Sequence, residues 1–174
     1  QLTDAVKKGG RGDHDVSQIH VIGAGTMGGD IAAVAAMSGF EVTLQDISAD
    51  AVDRAIERAR TLYERRLKAP QKVEAAMARL RADAGGEGLA SADLLIEAVA
   101  EDLAIKKAVF ADAESKMKPG AIMATNTSAI PLEDIGAALN DPARLIGMHF
   151  FNPVPVLPLV EVVYTDASDG SFVD

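Results

Sequence analysis

Short apolar runs and longer helical repeats alternate along the first half of the chain. The apolar residues Ile19, Val21 and Ile22 predict a strand, and a helix of small residues begins near Thr26. Between residues 48 and 68, apolar side chains recur every three or four positions, as in an amphipathic helix that is capped by Ser48 or Asp50. Pro70 breaks this repeat, and residues 71–80 predict a second, shorter helix.

The second half of the chain continues the alternation. After a turn at residues 85–91, the nearly all-apolar run at 94–99 predicts a strand that is buried on both faces. Further predicted elements are a helix from about Asp102 to Lys116, a helix from Ser128 or Pro131 to Leu139, and strands at 121–124, 145–149 and 156–163. Pro158 predicts that the last strand lies at an edge or starts late. The alternation predicts an α/β fold in which a mostly parallel sheet has helices on both faces.

Length and composition narrow the class of protein. A chain of 174 residues with 48% apolar content supports one core, and a net charge of −9 argues against binding to nucleic acid. The sequence has no cysteine, which excludes disulfides and thiolate catalysis, and its three scattered histidines argue against a zinc site. Without a membrane-length apolar run or a signal-peptide pattern, the sequence predicts a cytoplasmic protein. Residues 1–17 are polar and predict a linker, which leaves 18–174 as the domain.

A glycine motif joins the first predicted strand to the first helix. Gly23, Gly25 and Gly28 have the G-x-G-x-x-G spacing of a dinucleotide-binding loop in a Rossmann-type fold. Gly23 permits a tight turn, Gly25 leaves the backbone open to a pyrophosphate, and Gly28 allows close packing of helix on strand. Thr26 and Met27 begin the helix, where free backbone N–H groups point at the phosphates.

A further predicted strand follows the helix that begins near Thr26, and Asp46 ends it, 23 residues after Gly23, where an acid binds the adenosine ribose. A carboxylate at this point repels a 2′-phosphate, so the sequence favours NAD over NADP as the cofactor. Flavin-binding folds share the glycine motif, and these residues alone do not exclude FAD.

A second set of polar residues belongs to the later strands. His149 ends one strand and Glu161 follows twelve residues later, in the next strand. If the strands are neighbours, the carboxylate orients the imidazole and leaves its other nitrogen as a base near neutral pH. A buried histidine with satisfied hydrogen bonds is the alternative. Ser128 follows the strand at 121–124, where its hydroxyl either bonds a substrate oxygen or caps the next helix.

Two further features leave alternatives open. Glu97 interrupts an apolar strand, and it is either a structural acid or a site acid because a buried carboxylate needs a partner. A cluster of basic residues on the predicted helices forms either a solvated face or a landing site for an anionic ligand tail. The basic cluster comprises Arg54, Arg58, Arg60, Arg65, Arg66 and Lys68, and Arg79 and Arg81 extend it into the second helix.

Four ordered motifs together resemble the NAD-binding domain of L-3-hydroxyacyl-CoA dehydrogenases. They are VIGAGTMGGDIA at 21–32, DLLIEAVAEDLAIKKAVF at 93–110, NTSAIP at 126–131 and GMHFFNPVPVLPLVEVV at 147–163. The resemblance implies NAD-dependent oxidation of a 3-hydroxyacyl-CoA to a 3-oxoacyl-CoA, which is a step of fatty-acid β-oxidation. It also implies that CoA lies near the basic region at 54–68.

The resemblance also implies roles for individual residues. His149 is then the catalytic base, Glu161 its orienting carboxylate, and Asp46 the acid on the adenosine ribose. Ser128 contacts the substrate oxygen and the cofactor. The residues implied to line the nicotinamide end are Glu101, Lys106, Asn126 and Asn152.

Members of this family carry a second, helical domain that supplies substrate contacts and much of a dimer interface, and nothing in the sequence resembles it. Residues 1–17 resemble the linker that follows the enoyl-CoA hydratase domain of multifunctional fatty-acid oxidation α-subunits. We therefore expect a domain of a larger, oligomeric chain that associates with a thiolase. Two alternatives are a module that binds NAD without turnover and a 3-hydroxyacid dehydrogenase that acts without CoA.

Overall fold

The computed structural model describes residues 15–157 and 159–169, which form one seven-stranded sheet. The strands are β1 (Gln18–Ile22), β2 (Glu41–Gln45), β3 (Leu80–Ala82), β4 (Leu94–Glu97), β5 (Ile122–Thr125), β6 (Leu145–Phe150) and β7 (Val160–Val163). The spatial order is β3-β2-β1-β4-β5-β6-β7, with β1–β6 parallel and β7 antiparallel to β6. This order confirms the prediction of a Rossmann-type, mostly parallel sheet.

Five α-helices connect the strands in the described part of the chain. They are α1 (Thr26–Met37), α2 (Ala49–Leu67), α3 (Pro70–Arg79), α4 (Leu103–Lys116) and α5 (Leu132–Gly136). Ser48 caps α2 by accepting the Ala51 N–H at 3.2 Å, and Asp102 caps α4 by accepting the Ile105 N–H at 2.9 Å. Pro70 begins α3, where a missing N–H costs no hydrogen bond.

The helices cover both faces of the sheet, as predicted. On one face, Ile31 of α1 and Val52 of α2 belong to a buried cluster with side chains of β1, β2 and β4. On the other face, Phe110 of α4 and Ile135 of α5 pack in a second cluster with Leu95 of β4. The central strands are nearly continuous apolar runs because both of their faces are buried.

Strand β3 corrects the prediction for the end of the helix at 71–80. Residues 71–80 were expected to be helical, but α3 ends at Arg79, and Leu80–Ala82 pairs in parallel with β2. Arg81 therefore lies on a strand and does not extend the charge of the helix. The strand has three residues, of which only Leu80 is buried, so it has too few positions to show a strand period.

Two later elements are shorter than predicted. Helix α5 ends at Gly136, and the chain continues as a turn to Leu139. Strand β7 starts at Val160 and occupies the sheet edge, as the proline in this region led us to expect, although Pro158 itself lies outside the described residues. Residues 1–14 of the predicted linker at 1–17 and the last residues, 170–174, also lie outside them. Within the described ranges, no helix has the length and apolar character needed to cross a membrane.

Candidate cofactor and active site

The predicted site residues lie at the carboxyl ends of the parallel strands. The chain moves from β1 to β2 on one side, whereas β4, β5 and β6 lie on the other side of β1. Open α/β sheets hold ligands in the crevice at such a switch point. Asp46 follows β2, Glu101 follows β4, Asn126 and Ser128 follow β5, and His149 belongs to β6. The structure thus brings all five to one edge.

The three glycines of the loop after β1 differ in what surrounds them. Gly23 has a φ of 106°, in the left-handed region that favours glycine, as its tight turn requires. A Cβ atom on Gly28 would overlap the Gly23 carbonyl oxygen, so a glycine is needed for α1 to lie this close to the loop. A Cβ atom on Gly25 would meet no atom within 4 Å, so the backbone there faces open space.

The first turn of α1 is open to a ligand. Thr26 is its first residue and is exposed, while Met27 is half-buried. No side chain caps this helix, because the preceding residue is a glycine. The first backbone N–H groups of α1 are therefore left for an anion.

Asp46 is held against the glycine loop by two backbone groups. Its Oδ2 accepts the Ala24 N–H at 2.7 Å, and its Oδ1 accepts the Ser48 N–H at 2.8 Å. These bonds tie the end of β2 to the loop after β1. They also fix the carboxylate at the wall of a cleft of about 490 Å³.

The remaining walls of this cleft are largely apolar. Ile47, Ile105 and Val109 contribute to them, and the Ile47 side chain is fully exposed. Exposed apolar walls beside a carboxylate suit the flat face of a purine base and the hydroxyl groups of its ribose. The open backbone at Gly25, the uncapped helix and this cleft together fit the phosphates and the adenosine of a dinucleotide.

His149 and Glu161 are paired residues of the antiparallel strands β6 and β7. His149 Nδ1 lies 3.2 Å from Glu161 Oε2, and the two side chains are 25% and 62% exposed. Nε2 has no hydrogen-bond partner among the described residues. A carboxylate on Nδ1 orients the ring and leaves Nε2 to accept a proton. The histidine is therefore not the buried, satisfied core residue of the alternative interpretation.

Asn126, Ser128 and Asn152 differ in how firmly they are held. Asn126 Oδ1 accepts the Phe150 N–H at 3.0 Å, which ties the end of β5 to the residue after His149. Ser128 and Asn152 are exposed, and their side chains hydrogen-bond no described residue. Ser128 does not cap α5, which Pro131 precedes, so its hydroxyl remains available to a ligand.

Glu97 is completely buried at the end of β4, and each of its carboxylate oxygens is paired. Its Oε1 accepts from Lys106 Nζ and from the Val99 N–H, both at 2.7 Å. Its Oε2 accepts from the Thr125 hydroxyl at 2.7 Å. Glu97 thus lies behind the crevice and does not line it.

Lys106, which was expected to line the nicotinamide end, is also buried. Only 1% of its side chain is exposed, and Nζ lies 2.7 Å from Glu97 and 3.4 Å from Oε2 of Glu101. The Thr127 hydroxyl donates a hydrogen bond to Oε1 of Glu101. The exposed member of this group is Glu101, whose side chain is 44% accessible.

Glu101 is held as an anion by its neighbours. Partial burial raises the pKa of this carboxyl group, but the Thr127 hydroxyl and the Lys106 ammonium outweigh that effect. The net pKa of Glu101 lies below its ordinary value. The sequence does not predict this arrangement: the polar run at 125–128 marks the position, but not the partners of Thr125 and Thr127.

Half of the basic cluster has defined partners. Arg58 donates to the Gly25 carbonyl at 3.3 Å, Arg60 pairs with Glu74 at 2.8 Å, and Arg66 donates to the Pro155 carbonyl at 2.8 Å. Arg54, Arg65 and Lys68 are exposed. Within the described residues, no three His, Asp or Glu side chains form a group suited to a metal ion.

Comparison with known proteins identifies the family. Residues 18–174 match the family described as 3-hydroxyacyl-CoA dehydrogenase, NAD binding domain. The chain belongs to this family. Its cofactor is therefore NAD, which removes the flavin alternative left open by the glycine motif.

Relatives of this NAD-binding domain are longer than the chain. It is 44% identical to the 3-hydroxyadipyl-CoA dehydrogenase of Escherichia coli, over 86% of this chain and 32% of that protein. It is 40% identical to the fatty acid oxidation complex subunit alpha of Acinetobacter baylyi, over 90% of this chain and 22% of that protein. The crystal structure of an Escherichia coli 3-hydroxybutyryl-CoA dehydrogenase superposes with a TM-score of 0.87 at 42% identity, covering 91% of this chain and 34% of that one.

Proposed function

We propose that this NAD-binding domain contributes the cofactor site and the proton acceptor to the oxidation of a 3-hydroxyacyl-CoA. The observation that carries the proposal is the His149–Glu161 pair, whose distance is 3.2 Å and whose Nε2 is free among the described residues. The pair lies on the same sheet edge as the glycine loop. An alcohol that binds between them meets a base on one side and the cofactor site on the other.

The residues divide the chemistry between them. Gly25, the uncapped start of α1 and Asp46 would hold NAD, which would supply a hydride acceptor for carbon 3 of the substrate. His149 Nε2 accepts the proton of the 3-hydroxyl group, and the Glu161 carboxylate stabilises the imidazolium that forms. Ser128 donates a hydrogen bond to the same substrate oxygen, because its exposed hydroxyl is left available by the loop after β5. Asn126 keeps this loop against the strand that carries His149.

The choice of a CoA ester rests on the relatives and on charge. Two of the three proteins named above are a 3-hydroxyadipyl-CoA dehydrogenase and a 3-hydroxybutyryl-CoA dehydrogenase. Arg54, Arg65 and Lys68 are exposed on and just after α2, where their charges suit the phosphates of CoA. A role in β-oxidation is supported by the relative named as a fatty acid oxidation complex subunit. The cytoplasmic location, the oligomer and the thiolase partner stay predictions.

Turnover of acetoacetyl-CoA with NADH tests the substrate class. We expect oxidation of NADH with the CoA ester and none with free acetoacetate, which has the same reacting carbonyl. Equal rates with the two compounds would contradict the proposal and favour a dehydrogenase that acts without CoA. A Lys base is typical of such enzymes, whereas this site carries His149.

A module that binds NAD without turnover is the second candidate. The observation that favours it is the exposure of the catalytic pair, since 62% of the Glu161 side chain is accessible. The chain also spans only a fifth to a third of its first relatives. The assay should compare residues 1–174 with a longer natural chain that contains them. Equal turnover by the two would refute this second candidate.

A further inference from the structure

The buried ion pair behind the crevice is not explained by stability alone. Glu97 and Lys106 are 0% and 1% exposed, and their charged atoms are 2.7 Å apart. Removing two charges from water is costly, and well-packed apolar side chains often stabilise a core as well as a buried ion pair does. The location of the pair is therefore informative.

The pair lies where β4 and β5 end, beside the crevice. The Glu97 carboxylate binds the Thr125 hydroxyl at the end of β5 and the Val99 N–H after β4. The backbone N–H of Asn126 donates to the Glu97 carbonyl at 2.9 Å. Glu97 thus connects the two strand ends to the first turns of α4, from which Lys106 reaches it.

Glu97 lies across the glycine loop from Asp46, although Val99 and Ile105, which are close to it in the chain, also line the adenosine cleft. Asp46 marks the adenosine side after β2, and the glycine loop lies between that residue and the ends of β4 and β5. A dinucleotide that spans the switch point must extend its second nucleotide toward β4 and β5. Glu101 is an exposed charge there, and Lys106 and Thr127 hold it.

We propose that Glu97 is a positioning residue for the nicotinamide ring of the cofactor. It anchors the Lys106 ammonium, and Lys106 together with Thr127 holds the Glu101 carboxylate at the edge of the crevice. Glu97 does not touch the cofactor in this account. The inference rests on the proposed function of the crevice as a site for NAD.

Comparing the binding of two ligands distinguishes this role from a purely structural one. NAD+ and ADP-ribose share the adenosine, the pyrophosphate and the second ribose, but ADP-ribose lacks the nicotinamide ring. Calorimetric titration of residues 1–174 with each ligand gives two dissociation constants. In Glu97→Gln, which keeps the shape but removes the charge, we expect the constant for NAD+ to rise about tenfold and that for ADP-ribose to change less than about twofold.

A matched control lies at the other end of the same strand. Asp93 directly precedes β4, accepts the Ser17 and Gln18 N–H groups at 2.8 Å, and pairs with Lys118. Asp93→Asn removes a carboxylate with as many partners, far from the crevice. We expect it to leave the ratio of the two dissociation constants unchanged.

Each outcome bears on the proposal. Equal weakening of NAD+ and ADP-ribose by Glu97→Gln, or no change in either, would overturn the positioning role while leaving the cofactor site intact. A wild-type chain that binds neither ligand would overturn the proposed function itself. If Glu97→Gln does not fold, Thr125→Val removes one hydrogen bond to the same carboxylate and should give the same split, about threefold in size. The absence of that split would overturn the proposal.

Discussion

The crevice has two halves, a loop half at the glycine loop and a histidine half at His149, and different groups form them. At the glycine loop, backbone atoms define the site, and a carboxylate is fixed between two backbone N–H groups. At the histidine, two side chains meet on β6 and the edge strand β7, and one of them is 62% exposed. Apolar side chains around this second half are also exposed, including Phe151, Leu159 and Tyr164.

From this difference we expect cofactor binding in the loop half and proton transfer in the histidine half. The loop half is enclosed by the central strands β1, β2 and β4, which are paired on both sides. The histidine half depends on an edge strand that has one neighbour in the described sheet. We therefore expect changes in the loop half to alter affinity for NAD, and changes in the histidine half to alter turnover.

The largest expected effect is on turnover in the histidine half. His149→Gln removes the proton acceptor and should lower turnover of acetoacetyl-CoA by about a thousandfold. The dissociation constant for NAD+ should stay within about twofold, because no contact in the loop half changes. Turnover is measured with NADH on this chain or on a longer natural chain that contains it. Normal turnover by the variant would show that another group is the base.

Two glycines test the loop half. Gly25→Val places a side chain in open space where the pyrophosphate is expected, so it should weaken NAD+ by about a hundredfold while the melting temperature is retained. Gly28→Val places a side chain on the Gly23 carbonyl oxygen, so it should lower the melting temperature. Titration and thermal unfolding of both variants give the comparison. Tight binding by a folded Gly25→Val chain would refute this geometry.

A smaller effect on affinity for NAD+ is expected from a change of Asp46, the carboxylate of the loop half. Asp46→Ala removes the acceptor for ribose hydroxyls and the charge that repels a 2′-phosphate, so affinity for NAD+ should fall about tenfold. The preference for NAD+ over NADP+ should narrow at the same time. Titrations with both cofactors measure the ratio. An unchanged ratio would exclude the ribose role of Asp46.

The smallest effect on NAD+ binding and on turnover is expected from a change of Asp93, which lies at the opposite end of strand β4 from the crevice. Partial burial raises the pKa of Asp93, but bonds from Lys118, Ser17 and Gln18 outweigh it and lower the pKa from 3.8 to about 2. Ionisation of this group therefore favours the folded state. Its stabilisation is complete above a pH of about 4 and is lost as the pH falls toward 2.

Asp93→Asn should therefore lower the free energy of unfolding at neutral pH and have little effect near pH 2. Urea unfolding of the wild type and the variant across this range measures the difference. A difference that does not depend on pH would show that the ionised carboxylate is not what stabilises the fold.

Local patterns predicted the loop half well. The turn at Gly23, the helix from Thr26 and the position of Asp46 after β2 follow from spacing within one strand–helix–strand unit. The pairing of His149 with Glu161 was predicted only on the condition that their strands are neighbours, and the antiparallel pairing of β6 with β7 meets that condition. Both inferences depend on residues that are close in the chain.

The parts that the sequence did not predict depend on contacts between distant elements. The burial of Lys106 arises because α4 packs against β4 and places the ammonium on Glu97. Strand β3 forms because its backbone pairs with that of β2, although only one of its three residues is buried. Sequence periodicity reports the exposure of a segment and contains no information about which element lies beside it.

Titration of NAD+ into the wild-type chain of 174 residues tests the cofactor site directly. The hypothesis is that this chain contains a complete NAD site, which runs from Asp46 and the glycine loop to the ends of β4 and β5. It predicts saturable binding of one NAD+ per chain, with NADP+ bound more weakly because Asp46 repels its 2′-phosphate. Absence of saturable NAD+ binding by the folded chain would contradict it.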